Sequence, residues 1–271
     1  MIEMLSTMFS YHFMQRALIV GVLVALCSAL LGVSLVLKRY SMIGDGLSHV
    51  GFGSLAVATA MGLSPMSVTI PVVVVAAFLL LRLSTRGKLK GDAAIAMIST
   101  GALAIGVIVL SLSTGMTSDV NNYLFGSVLA MHASDVKLSI VLALIVLILF
   151  VLFYRQIFAV TFDETFARAT GSHAEACNML LALLTAVTIV LGMRVMGAML
   201  ISSLVIFPAL TAMRVCKSFR SVTICASIVS VLCFFAGLCI SYLLSTPAGA
   251  SVVVVNILCF VLFAIFGKLH H

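Results

Sequence analysis

Charge is what this chain has least of. Only 8% of its 271 residues are Asp, Glu, Lys or Arg, against roughly 25% in a soluble globular domain. Hydrophobic residues make up 63% and the mean hydropathy is +1.32. A chain of this composition cannot cover itself with polar surface in water, so a soluble domain is excluded and a polytopic membrane protein is indicated. The longest polar stretch, Tyr154 to Asn178, is too short for a hydrophobic core of its own. Other absences narrow the function. The seven cysteines (27, 177, 216, 225, 233, 239 and 259) form no CxxC pair and read as small core residues, neither disulfides nor metal thiolates. Alternating ten-residue strand patterns are missing, which excludes a barrel. No Gly-x-x-x-x-Gly-Lys-Ser/Thr loop is present, so ATP cannot be bound in that way. No separate signal peptide is expected, because the first apolar run, Ala17 to Leu37, is too long for an h-region. No convincing internal repeat stands out, which weakly disfavours an inverted-repeat carrier.

What is present is a series of apolar runs. A spanning helix needs about 20 apolar residues, and nine candidates are read at roughly 14–37, 42–62, 65–83, 92–112, 134–153, 177–193, 196–213, 221–244 and 250–267. The short 177–193 and 196–213 are the two that could be re-entrant. The middle of the 113–134 connection, Asn121 to Met131, is apolar enough for a short helix at the membrane face. All spans are expected to be α-helices, since lipid leaves no other partner for the backbone. An outside N-terminus puts twelve of the fifteen Lys and Arg on inner connections and leaves Arg16, Lys137 and Arg194 outside. That asymmetry orients the chain N-out and C-in, and the net charge of +7 reports topology, not nucleic-acid binding.

Three stretches carry chemistry. In KRYSMIGDGLSHVGFGSLAVA, residues 38–58, Asp45 and His49 lie four apart, on one helix face one turn apart. With a helix starting near Ser41 at the inner face, they sit about 6 and 12 Å in. An ionisable residue at that depth is costly and marks function. Carboxylate plus imidazole suits zinc, manganese or iron, yet two ligands are too few for one ion. Two-fold pairing of identical chains would supply two of each. The plainer alternative is that Asp45 caps its helix and His49 finds a buried hydrogen bond. The pattern is not the HExxH of zinc proteases, and no third catalytic group is obvious, so an intramembrane enzyme is disfavoured.

The second stretch is FAVTFDETFARATGSHAEACNM, residues 158–179. Asp163 and Glu164 open a short helix and Gly171 closes it, with Phe162, Phe166 and Ala169 on one side. Thr161 and Glu164 have capping-box spacing. An apolar-faced helix on the cytosolic side fits docking to a soluble partner, or lying on the lipid surface. His173 and Glu175 are read as solvated. The third is GAMLISSLVIFPALTA, residues 197–212, where Pro208 frees a carbonyl near Leu204 for Ser202, Ser203 or a neighbour. This kinked segment either lines a path or packs. Outside these stretches, His132 and Asp135 are read as a solvated helix start, His12 as interfacial, and His270 and His271 as a disordered end or a tag remnant. Polar positions such as Thr185 and Ser230 are expected to bond to neighbouring helices.

LVLKRYSMIGDGLSHVGFGSLA resembles the signature of the permease subunits of zinc and manganese ABC importers, in which a basic pair precedes a hydrophobic-Gly-Asp-x-x-Ser-His pattern. VTFDETFARATG resembles the cytosolic coupling segment of that family, and NYLFGSVL and GAMLISSLVIFPALTA match two more of its segments in order. One departure is Gly46, where alanine is common. The resemblance covers about Met14 to Lys268. It implies an all-α permease domain over 1–271, a bundle of eight or nine transmembrane helices similar to the vitamin B12 importer class, with a coupling loop at about 155–177. It also implies a multi-pass protein of a prokaryotic cell membrane that forms a homodimer. Cytosolic ATP-binding subunits would hydrolyse the nucleotide, and an extracellular or periplasmic metal-binding protein would deliver the ion. Asp45 and His49 would then line the metal path, with Ser202, Ser203 and Pro208 as further lining. Asp163, Glu164, Ala167 and Gly171 would belong to the ATPase-coupling segment. No cofactor would be held permanently. The alternative is an autonomous carrier or channel for divalent cations, with Asp45 and His49 as proton relays.

Overall fold

The computed structural model describes residues 10–86, 91–113, 124–126, 133–198 and 200–269. Among them every long element is an α-helix: α1 (His12–Leu37), α2 (Ser41–Ala60), α3 (Pro65–Arg86), α4 (Gly91–Leu112), α5 (Ala133–Leu152), α6 (Tyr154–Phe162), α7 (Glu164–Ala169), α8 (Ala174–Met196), α9 (Ile201–Met213), α10 (Phe219–Leu244) and α11 (Ala248–Leu269). Each of the nine apolar runs is a helix. Seven of these helices are long and apolar enough to cross a membrane. α2 has the length, but its glycines, serines, Asp45 and His49 dilute its hydropathy. α9 has only 13 residues, about 20 Å against a hydrocarbon core of about 30 Å. Most of the segment expected to form a short helix, Asn121 to Met131, lies outside the described residues, as do His132, His270 and His271.

α1 and α8 are the central pillars and are mostly buried. α3, α4, α5 and α11 surround them and leave large apolar side chains such as Val75, Ile108, Ile148 and Leu262 exposed, the surface that lipid covers. α8 runs antiparallel to α1 and α5. Lys38 at the end of α1 meets Asn178 at the start of α8. At the opposite end of the bundle, Arg194 in the last turn of α8 meets Asp135 in the first turn of α5 at 2.6 Å. Asp135 is therefore ion-paired and not the solvated helix start read from the sequence.

Small residues let the helices close up. A Cβ on Gly53 would lie 2.5 Å from the Ala102 carbonyl oxygen of α4, and one on Gly32 would lie 2.0 Å from the Val205 carbonyl oxygen of α9. Backbones approach this closely only where no side chain intervenes. Ser230 reaches across to the Ala25 carbonyl at 2.9 Å, as expected of a helix-bridging hydroxyl. Thr185 instead donates to Leu181 of its own helix at 2.7 Å, because a threonine hydroxyl finds the carbonyl four residues back without a partner helix. The seven cysteines are free thiols.

Candidate metal path and coupling helix

α2 holds Asp45 and His49 through its packing. Gly46 faces Ile95 and Leu80, and Gly51 faces Met193 and Val73. These contacts align α2 side by side with α4 and antiparallel to α3. Met193 is three residues from the end of α8, whereas Gly51 is nine from the end of α2. At 1.5 Å per residue the α8–α9 turn falls about 9 Å short of the end of α2. α9 thus begins inside the bundle. The break occurs at Gly197, whose φ of +88° suits glycine alone. A Cβ there would sit 2.3 Å from the Leu124 carbonyl oxygen.

The half-length of α9 brings Ser202, in its first turn, to Asp45. The Ser202 hydroxyl donates to Asp45 Oδ1 at 3.4 Å. His49 Nε2 stands 3.6 Å from Asp45 Oδ2. His49 Nδ1 is buried and makes no hydrogen bond among the described residues. The Asp45 side chain remains 37% exposed and that of His49 14%. Both contacts to the carboxylate are longer than an ordinary charge-assisted bond of about 2.7–2.9 Å, so the carboxylate is only loosely held. Asp45 does not cap α2: Tyr40 is at the N-cap, with no side-chain cap. Of the other residues read from this segment, Ser203 turns back to the Leu200 carbonyl at 2.6 Å, and Pro208 is buried further along α9. The hydroxyls bond elsewhere than Leu204. Among the described residues no group of three His, Cys, Asp or Glu could hold a metal.

The 155–177 segment is helical almost throughout. α7 is capped at both ends. Asp163 Oδ1 accepts from the Phe166 amide at 2.9 Å, so the N-cap is Asp163 and not Thr161, whose hydroxyl is spent on Ile157 at 2.6 Å. The Thr165 hydroxyl, then the Phe166 amide, hold the Asp163 carboxyl below its ordinary range. At the other end Ser172 N–H donates to Ala167 O and Gly171 N–H to Arg168 O, a Schellman closure with Gly171 at φ +84°. Ala167 faces inward with no exposed area, whereas Phe162 and Phe166 are 60% and 64% exposed. Phe162, which packs on Phe158 and Phe219, and Phe166 form the exposed apolar face of the segment together with Phe158.

Glu164 is half-buried, with its side chain 32% exposed. Arg168 donates to its Oε1 at 2.7 Å and Asn178 Nδ2 to its Oε2 at 3.1 Å. Lys38 Nζ lies 3.6 Å from Oε2 and also donates to Asn178 Oδ1. Burial alone would push the Glu164 carboxyl up, but the Asn178 bond, the Lys38 charge and Arg168 hold it below its ordinary range. Burial lowers the Lys38 ammonium against the pull of Glu164. Sequence reasoning took Lys38 as a topology charge and passed over Asn178. The available signal was an amide at the border of the 179–193 apolar run, 14 positions after Glu164.

Known proteins resemble this chain over nearly its whole length. The "Manganese transport system membrane protein MntC" of Listeria monocytogenes is 29% identical over 97% of this chain and 94% of its own. The "High-affinity zinc uptake system membrane protein ZnuB" of Haemophilus influenzae is 31% identical over 93% of this chain and 97% of its own. A solved structure of PsaBC from Streptococcus pneumoniae in complex with Fab superposes with a TM-score of 0.88 at 27% identity, covering 100% of both chains. The model of the ABC 3 transport family matches residues 10–267, and the chain belongs to that family.

Proposed function

We propose that this chain is the membrane-spanning subunit of an ATP-driven importer of divalent transition metal ions, zinc, manganese or iron, with Asp45 and His49 lining the ion path. One observation carries the reading. A carboxylate on a membrane helix stands 37% exposed beside an imidazole and a hydroxyl. An ionised carboxylate facing lipid costs several kcal/mol, so this face of α2 meets a second subunit or water. A second copy of the chain supplies both: two aspartates and two histidines converge on one axis, a set that the described residues of one chain do not provide. The contacts at 3.4 and 3.6 Å suit transit, because an ion that is held too well does not leave.

The driving force comes from a partner. The α6–α7 corner presents Phe162, the last residue of α6, and Phe166 of α7 to the cytosol, and a cytosolic ATP-binding subunit docks on that face. Asp163 and Gly171 cap the helix, and Glu164 and Ala167 seat it on the bundle. An external metal-binding protein delivers the ion at the Arg194 end. An autonomous carrier has no use for such a docking face. The test is uptake of zinc or manganese into vesicles bearing the chain, its ATPase and its binding protein. ATP-dependent uptake is expected, with loss in D45N and H49A while ATPase docking persists. Normal transport by both variants would remove the path assignment, and uptake without ATPase or nucleotide would favour the autonomous carrier.

A further inference from the structure

Lys38, Glu164 and Asn178 form a closed triangle in which each touches the other two. The Lys38 side chain is only 7% exposed. A buried ion pair is weak as a source of stability, since apolar side chains of similar size often do as well. What it supplies is a fixed geometry between the elements that carry it. Here those elements are the docking helix α7, the base of α8, and the end of α1.

The last of these matters for the ion path. α1 and α2 are joined by Lys38, Arg39 and Tyr40 alone. The junction has no slack. Tyr40 N–H donates to Leu35 O at 2.8 Å and Arg39 N–H to Val36 O at 3.1 Å. Arg39 takes φ +61° to complete the turn, a left-handed conformation costing a non-glycine residue about 1–2 kcal/mol. Asp45 follows in the second turn of α2, and α2 is locked along α4 by the Gly53–Ala102 approach. A shift of α7 therefore reaches the start of α2 through one side chain and a rigid three-residue turn.

We propose that Lys38 is a positioning residue that couples ATPase docking to the metal-path helix, its ammonium linking Glu164 and Asn178 to the α1–α2 turn. This rests on reading α7 as the docking helix. A purely structural joint would seat α7 and do nothing more, and the two roles separate in one experiment. The permease is reconstituted with its ATPase and metal-binding protein, and ATPase retention, ATP hydrolysis and metal uptake are measured together. In K38M, which keeps the length of the stem without its charge, the ATPase stays bound and uptake per ATP falls at least tenfold. K38R restores the ratio to within about threefold of wild type. An unchanged ratio in K38M overturns the proposal. Loss of the ATPase together with uptake also overturns it, because the joint then only seats α7. If K38M does not accumulate, N178A leaves Lys38 and Glu164 to pair directly: a partial fall in uptake per ATP is expected, and an unchanged ratio overturns the proposal. Wild-type uptake that ignores ATP would remove the importer reading itself, a result distinct from failure of the joint.

Discussion

The two polar sites of this chain are built in opposite ways. At Asp45 the partners stand off at 3.4 and 3.6 Å and the carboxylate is open. At Glu164 both carboxylate oxygens are occupied, at 2.7 and 3.1 Å, and a buried ammonium closes the triangle. Both carboxylates are about a third exposed, 37% at Asp45 and 32% at Glu164, so the contrast lies in how closely donors approach: loosely at Asp45 and closely at both oxygens of Glu164. A residue that passes an ion needs free lone pairs. A residue that ties α7 to the bundle needs close donors on both of its oxygens. Both are acids four positions before a basic residue in an apolar protein, so the difference lies in what the neighbouring helices bring to them.

That contrast can be broken at either site. The largest effect is expected at the open one. D45N and H49A should each lower metal uptake about tenfold or more, equivalent to about 1.4 kcal/mol or more, with assembly intact by size-exclusion chromatography. S202A removes a long hydrogen bond worth about 0.5–1.5 kcal/mol, so uptake should fall about two- to tenfold; an effect as large as that of D45N would make Ser202 a ligand in its own right. G171A places a Cβ at φ +84° at a cost of about 1–2 kcal/mol. It should lower ATP-driven uptake without changing metal binding. G62A is the control, since it carries the similar φ of +68° in an exposed turn remote from α7, and it should leave uptake unchanged. The smallest effect is on pH. Glu164 is held below its ordinary range, so its contribution to seating α7 is present at neutral pH and above the unfolded carboxylate pKa. It is lost as pH falls through the lower folded value. A spin label at Ala169 should gain mobility as pH falls below the ordinary carboxylate range, and E164Q should reduce that transition to the part that belongs to the Asp163 cap.

Much of this architecture is legible in the residues. Long apolar runs declare helices, and all nine are helices, because in lipid the backbone has no alternative. Asp45 and His49 stand out because charge is costly there. The capped helix at 164–169 was announced by its acids and by Gly171, although the cap itself is Asp163. A side chain at the helix boundary outcompetes Thr161, whose hydroxyl is already taken by Ile157. The interhelical pairs were not legible. Asp135 with Arg194 and Lys38 with Glu164 are separated by 59 and 126 positions, and only the packing of α1, α5 and α8 brings them together. The depth at which α9 starts was equally hidden. It depends on Gly197 meeting the backbone at Leu124, a contact that no periodicity encodes.

The central claim is that Asp45 and His49 touch the ion in passage. X-ray absorption at the metal edge, on the zinc- or manganese-loaded permease in its complex, tests this most directly. A shell of oxygen and imidazole nitrogen is predicted, with the imidazole signal lost in H49A and the oxygen count reduced in D45A. A shell containing sulfur, or one unchanged in both variants, would contradict it.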